Sequence, residues 1–223
     1  MITTPNIALA GLTAAGKTTH GLALAADLGF GYVSATEILL EILGIGQASE
    51  ALWFDHLEEI HNARADGTVD AELEARLVDL AATSEGIVFD TWALAWIGRG
   101  PLVRIWIESD LDSRIRKCLV SQGAVRSTSA DARILLQDKD DFNRRLFRDR
   151  HNFDLFTDRH RYDAVLHNGH LIPVASEAAA KAGIETFAPV VKAAVDAIVT
   201  RDAAAAARLC AEDPIAVHRI TIP

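Results

Sequence analysis

Gly11-Leu12-Thr13-Ala14-Ala15-Gly16-Lys17-Thr18 satisfies every fixed position of the pattern G-x-x-x-x-G-K-[ST]. The chemistry of such an octet is anion binding. Its glycines let the backbone curl so that successive N–H groups, and the positive end of a following helix, point at one spot that suits an oligophosphate. Lys17 would reach the outer phosphates, and the Thr18 hydroxyl would be a ligand for Mg²⁺. Gly11, Thr13, Ala14, Ala15, Gly16, Lys17, Thr18 and Thr19 are therefore the expected nucleotide-binding residues, with ATP (or GTP) and Mg²⁺ as cofactors. The acid expected on the same site is Asp90, which ends the apolar run Gly86-Ile87-Val88-Phe89.

These groups need elements that hold them. Ile7-Ala8-Leu9-Ala10 reads as a short buried strand entering the octet, and Thr19 to Leu28 as a helix leaving it and closed by Gly29. Phe30 to Val33, Gly86 to Asp90, Leu102 to Ile107 and Arg161 to Leu166 read as further strands. In an open α/β sheet ligands sit beyond the carboxyl ends of parallel strands, so Asp90 should face the crevice of the phosphate loop. A segment from Ala48 to Ala65 has helical rhythm; Asp70 can cap a helix with Leu73, Leu77 and Leu80 on its apolar stripe. Two basic helices follow, Asp110 to about Val120 with Arg114, Arg116 and Lys117, and Thr128 to His151 with Lys139, Arg144, Arg145, Arg148 and Arg150. Such a run is either a solvated face with acid partners such as Asp138, Asp140, Asp141 and Asp149, or a lid whose arginines neutralise a transferred phosphoryl group.

With 223 residues, half of them hydrophobic, the chain can build one α/β core. A net charge of −9 argues against a nucleic-acid partner. Cys118 and Cys210 lack metal-ligand spacing, and no apolar run approaches membrane-spanning length. The expectation is a soluble, cytoplasmic protein, monomer or homodimer, whose partner is a small-molecule phosphoryl acceptor. The expected organisation is one domain over residues 1–200. Residues 201–223 read as a frayed helix and an irregular tail.

In the order and spacing of these motifs the chain resembles the cytidylate-kinase-like branch of the nucleoside monophosphate kinases, over roughly residues 5–170. Besides the phosphate loop, the likeness rests on Tyr32-Val33-Ser34-Ala35-Thr36-Glu37-Ile38, Val88-Phe89-Asp90, Asp112-Ser113-Arg114-Ile115-Arg116-Lys117 and Tyr162-Asp163-Ala164-Val165-Leu166. It implies a kinase domain of the P-loop NTPase fold, an α/β architecture with a five-stranded parallel sheet flanked by helices, an acceptor-binding lobe at about 34–84 and a lid at about 121–150. It also implies transfer of the γ-phosphoryl of ATP to a nucleoside monophosphate. Lys17, Asp90 and Arg114 would be catalytic, Thr18 and Asp90 would serve the metal, and Arg144, Arg145 and Arg148 would belong to the lid. Ser34, Glu37, Trp92 and Trp96 would line the acceptor site.

The acceptor site departs from that pattern. Leu40 and Trp92 stand where the family carries arginines, and Lys139 and Asn143 where its lid carries an arginine and an acid. Losing two cation contacts to a phosphate dianion costs several kcal/mol, at roughly 1.5–3 kcal/mol for each hydrogen bond to a charged group. Three readings follow: a nucleotide kinase with substitute cations such as Arg64 or Arg99, a hydroxyl kinase with Asp90 or Glu37 as general base, and a nucleotide-binding regulator without turnover.

Overall fold

The protein is described by a computed structural model covering residues 4–45, 57–122 and 128–223. Strand β1 (Asn6–Ala10) leads through the phosphate loop into α1 (Lys17–Leu28). Then come β2 (Gly31–Ser34), α2 (Ala35–Ile42), α3 (Leu57–Ala63), α4 (Thr68–Thr83), β3 (Ile87–Asp90) and the short α5 (Leu94–Ile97). Strand β4 (Leu102–Glu108), α6 (Leu111–Ser121), α7 (Ser129–His151) and β5 (Ala164–His167) follow, and the chain finishes with α8 (Glu177–Val199), α9 (Ala203–Glu212) and β6 (Val217–Ile220).

The strands form one sheet in the order β2-β3-β1-β4-β5-β6, parallel except for β6, which runs antiparallel to β5. The expected parallel sheet thus gains a sixth strand from the segment read as an irregular tail. Val217 and Ile220 pack into the core formed with α8, and α9, capped by Asp202, brings the chain back to the sheet edge. The Ala-rich run before it hides that return, because alanines give no periodicity from which to read a buried face.

Alternation along β1 builds the two cores. Ile7 and Leu9 face a cluster with Leu24 of α1 and Phe187, Val191 and Val195 of α8. Ala8 and Ala10 face the other side, against Leu77, Phe89, Trp106 and Phe153. Small residues on that second face leave room for Trp106, fully buried with Tyr162 edge-on at 5.2 Å and the Arg159 guanidinium 3.8 Å from its ring.

The helix carrying Leu73 and Leu77 buries that stripe as expected. Its N-cap, however, is Gly67 in the left-handed region, and Asp70 lies inside the helix, where its carboxylate takes the Arg64 guanidinium. Of the expected helix at Ala48 to Ala65 only α3 falls within the described residues; Trp53 and His56 lie outside them. Both basic helices start on side-chain caps, Asp110 for α6 and a Thr128–Asp131 capping box for α7. No helix among the described residues is long and apolar enough to cross a membrane.

Candidate active site

The phosphate loop is a concave backbone nest. Ala14 and Gly16 both have left-handed backbone angles, φ 60° and 96°, and Ala15 N–H closes a turn onto the Leu12 carbonyl at 3.1 Å. A side chain at Gly11 would put its Cβ 2.6 Å from the Ile107 carbonyl oxygen, so only glycine lets the loop start against the end of β4. The first turn of α1 carries no acidic residue that would neutralise its positive end.

Helix α6 braces the loop through its carbonyls. Arg114 and Lys117, three residues apart and hence on one helical face, act on two loop carbonyls. Arg114 Nη1 donates to the Thr13 carbonyl at 3.2 Å. Lys117 Nζ donates to Asn168 Oδ1 at 2.6 Å and to Ser109 Oγ at 2.8 Å, and Asn168 Nδ2 donates to the Ala15 carbonyl at 2.9 Å. With its carbonyls held backward, the loop keeps N–H groups for the opposite side.

Burial, reinforced by the Arg114 and Arg116 charges and opposed by Asp110, lowers Lys117 from 10.5 to about 7. Its folded value lies below its unfolded one, so below about pH 7 both states carry the proton and the burial cost is fully present. Between about 7 and 10.5 only the unfolded chain binds the proton, and stability rises with pH. In urea denaturation of wild type and Lys117→Met across pH 6–9, wild type should show the steeper rise, by at most about 1.4 kcal/mol per pH unit. Parallel profiles would mean that Lys117 stays charged throughout.

Parallel registers place Asp90 level with Leu9 and Ser34 at the carboxyl ends of β1 and β2. Thr18 Oγ1 donates to Asp90 Oδ2 at 2.6 Å, and Tyr32 OH donates to the same oxygen at 3.2 Å. Burial, and next the Asp90 charge, push the Tyr32 phenol upward, so it stays a protonated donor. The Thr18 hydroxyl and the Asp90 carboxylate together are a hard-oxygen pair at the mouth of the loop. That set fits Mg²⁺, which takes one or two protein oxygens and fills its remaining positions with water and phosphate. It does not need a larger acidic cage, and among the described residues there is none.

Lys17, Thr18 and Asp90 open into a pocket whose far wall contains Arg64, Asp70 and Asn143. Arg64 is 4% exposed and Asp70 3%. Arg64 Nε reaches both Asp70 oxygens, at 3.2 and 3.1 Å, and Nη2 donates to Asp70 Oδ1 at 2.7 Å and to Asn143 Oδ1 at 3.2 Å. Glu74, on the same wall, accepts from Arg150 Nη2 at 2.6 Å and lies 2.7 Å from His151 Nε2.

The expected site residues divide accordingly. Thr13, Ala14, Lys17, Thr18, Asp90 and Trp92 share the pocket wall, with Lys17 Nζ 5.5 Å from the Trp92 ring centroid. Ala15 is buried beneath the loop and Thr19 is exposed on α1, off the wall. Arg114 is buried, off the pocket wall, and holds the loop through the Thr13 carbonyl. Ser34 caps α2, accepting from Glu37 N–H at 3.3 Å, and both residues line a different groove with Tyr32 and Leu40.

Trp96 is placed in the core rather than on an aromatic wall with Trp92. Trp92 precedes α5 and Trp96 lies within it, so the two are not on one helical face. Trp96 stacks on Phe153 at 4.0 Å, with Arg161 4.3 Å from its ring. On α7, Lys139, Asn143 and Phe147 recur every fourth residue and face the pocket. Arg144 and Arg148 are one position further round: both bind Asp154, Arg144 through Nη2 at 2.9 Å. Arg145 lies in a separate groove with His61 and Asp141.

Tyr32, Lys117, Asn168 and Asp140 join the site without having been singled out for it. Asn168 had a legible signal, its place just beyond the carboxyl end of a parallel strand. Tyr32 had none, because an aromatic residue in a strand reads as core.

A sequence-family model for the cytidylate kinase-like family matches residues 6–170. No curated protein matches the chain in sequence. Among solved structures, shikimate kinase from Bacteroides thetaiotaomicron aligns with a TM-score of 0.51 at 14% identity, covering 84% of this chain and 98% of that one. A protein described as uncharacterized from Eubacterium ventriosum aligns with a TM-score of 0.55 at 12% identity, covering 84% and 96%. At such identities these likenesses establish the P-loop kinase fold. Since the family match spans most of the chain and coincides with the phosphate loop, the parallel strands and the basic helices, the protein belongs to the cytidylate kinase-like family of P-loop kinases.

Proposed function

We propose that this protein transfers the γ-phosphoryl group of ATP, with Mg²⁺, to a hydroxyl of a small polyhydroxylated acceptor. The observation that carries this reading is the state of Arg64. Its guanidinium is the only arginine on the described pocket wall, and the Asp70 carboxylate already engages its fork. A phosphate dianion needs a wall of donors. This wall instead alternates donors with the carboxylates of Asp70 and Glu74 and the amide of Asn143. A hydroxyl both donates and accepts, so mixed planar groups suit it, and Trp92 offers an apolar face for a ring. The cavity, about 120 Å³, has room for on the order of four water molecules at the density of the liquid.

In this reading Lys17 and the loop N–H groups hold the nucleotide phosphates and stabilise charge on the transferred group. Bound between Thr18, Asp90 and the phosphates, Mg²⁺ would supply charge neutralisation. Asp90 takes the proton from the acceptor hydroxyl: Thr18 and Tyr32 both donate to Oδ2, so neither occupies Oδ1 of the same carboxylate. Trp92 and the α7 stripe line the pocket and would limit the water that reaches the γ-phosphoryl.

The test is transfer from ATP to neutral sugars, polyols and cyclitols beside CMP, dCMP, UMP and AMP, read by mass spectrometry. A phosphomonoester of a polyol is expected. A nucleoside diphosphate formed from one of the monophosphates would replace this reading with the nucleotide kinase and make Lys139 and Arg64 the first candidates for its cations.

A further inference from the structure

The lid helix reaches the phosphate loop through one buried carboxylate. Asp140 of α7 is 2% exposed and Arg114 of α6 is 5% exposed, and Arg114 Nη1 lies 2.5 Å from Asp140 Oδ2. The same Nη1 holds the Thr13 carbonyl. Asp140 is further favoured in its charged form by the backbone N–H of Thr13 and the charge of Lys17. A guanidinium at the phosphate loop is therefore held by an anion that belongs to the protein itself. A guanidinium is also what such a site offers to a phosphate.

The arrangement is incompletely satisfied. Asp140 Oδ1, Arg114 Nε, Thr13 Oγ1 and Ser113 Oγ are all buried without a hydrogen-bond partner among the described residues. A buried ion pair offsets its desolvation only when its remaining lone pairs and protons are matched, and unmatched members of a buried polar network each carry a penalty. Burial pushes the Asp140 carboxyl up in spite of its partners. A carboxylate with two oxygens fills part of a cradle, whereas a terminal phosphoryl group has three oxygens to offer.

We propose that Asp140 is an internal stand-in for a phosphate group: in the nucleotide-free protein it holds Arg114 and latches α7 onto the phosphate loop, and the nucleotide phosphates displace it. The inference rests on the reading that this loop binds nucleotide. The latch lowers nucleotide affinity by the fraction of molecules in which it is closed, and couples release of the lid helix to arrival of the phosphates. Arg114 would then pass from a protein carboxylate to the transferred group without leaving the site.

Calorimetric binding of ATP with Mg²⁺ to wild type, Asp140→Asn and Lys17→Ala separates this proposal from the reading beneath it. Asp140→Asn keeps the shape and removes the charge, and should bind about tenfold more tightly than wild type, while Lys17→Ala binds far more weakly than either. If wild type and Asp140→Asn both failed to bind, the nucleotide site itself would be wrong. Binding by wild type that depends on Lys17, with equal or weaker binding by Asp140→Asn, would overturn the latch alone. Since removing a carboxylate from a buried arginine can unfold a protein, the second measurement uses unaltered chain: a crystal structure with a non-hydrolysable ATP analogue and Mg²⁺. Arg114 on the terminal phosphate with Asp140 withdrawn is expected. An intact Arg114–Asp140 pair beside fully seated phosphates would reject the proposal.

Discussion

Lys17→Ala should lower turnover by about 10²–10³-fold while leaving a folded protein. The two expectations have different origins. Within the described residues the Lys17 ammonium meets the Leu12 carbonyl at 3.2 Å and the Trp92 ring face at 5.5 Å, and its charge also acts on the Asp140 carboxylate. Removing it forfeits one ordinary hydrogen bond and a partly exposed cation–π contact, about 1–2 kcal/mol. For a chain of this size that is a few degrees in Tm. In the reaction the same ammonium would lie against charge that develops on the transferred phosphoryl group, inside a pocket that limits water. A preorganised donor in such a place contributes roughly 3–4 kcal/mol to the transition state, hence the expected loss in rate. The measurement is single-turnover phosphoryl transfer beside thermal denaturation. A variant with near wild-type turnover would remove the loop from catalysis, and one that unfolds would show the ammonium to be structural.

Why the loop was readable and the lid was not comes down to which groups carry the information. The loop is a backbone device, and its glycines and its lysine are required by local geometry that the octet itself encodes. The strands that feed it are buried on both faces and read as apolar runs, so β1, β3 and β4 were placed within a residue or two. Strand β6 lacked such a signal: Val217-His218-Arg219-Ile220 is short, edge-placed and antiparallel, and its pairing with β5 is a tertiary fact with no local counterpart.

The helix expected to be a lid shows a finer limit. Helix α7 was legible from end to end, cap included, yet its role was assigned to the arginines because they are the residues that bind phosphate. A helix offers a given face only every three to four residues, and a shift of one position turns a side chain by about 100°. Lys139, Asn143 and Phe147 occupy the pocket face, and Arg144 and Arg148 therefore meet Asp154. Lys139 and Asn143, the two departures from the family pattern on this helix, are residues that meet the pocket. Trp92 and Trp96 illustrate the same point in reverse, since a spacing of four places two residues on one face only where the helix spans both.

Asp90→Asn separates the two roles that one carboxylate can hold. The carbamoyl oxygen still accepts from Thr18 Oγ1 and Tyr32 OH, so the local structure and the strand register should persist. What disappears is the capacity to take a proton and the negative charge beside the metal position. If the acceptor is a hydroxyl, loss of the base should lower kcat by about 10²–10⁴-fold. Raising Mg²⁺ should not restore the rate. Tyr32→Phe is the matched comparison, because it removes one donor to Oδ2 and leaves the carboxylate in place; its effect should be severalfold at most. Rescue of Asp90→Asn by high Mg²⁺ would assign the carboxylate to the water shell of the metal. The hydroxyl reading would then lose its base, and a phosphate acceptor, already deprotonated near neutral pH, would again account for the site. The mutant therefore reports on the acceptor as well as on the acid, and it does so without knowing which polyol the pocket receives.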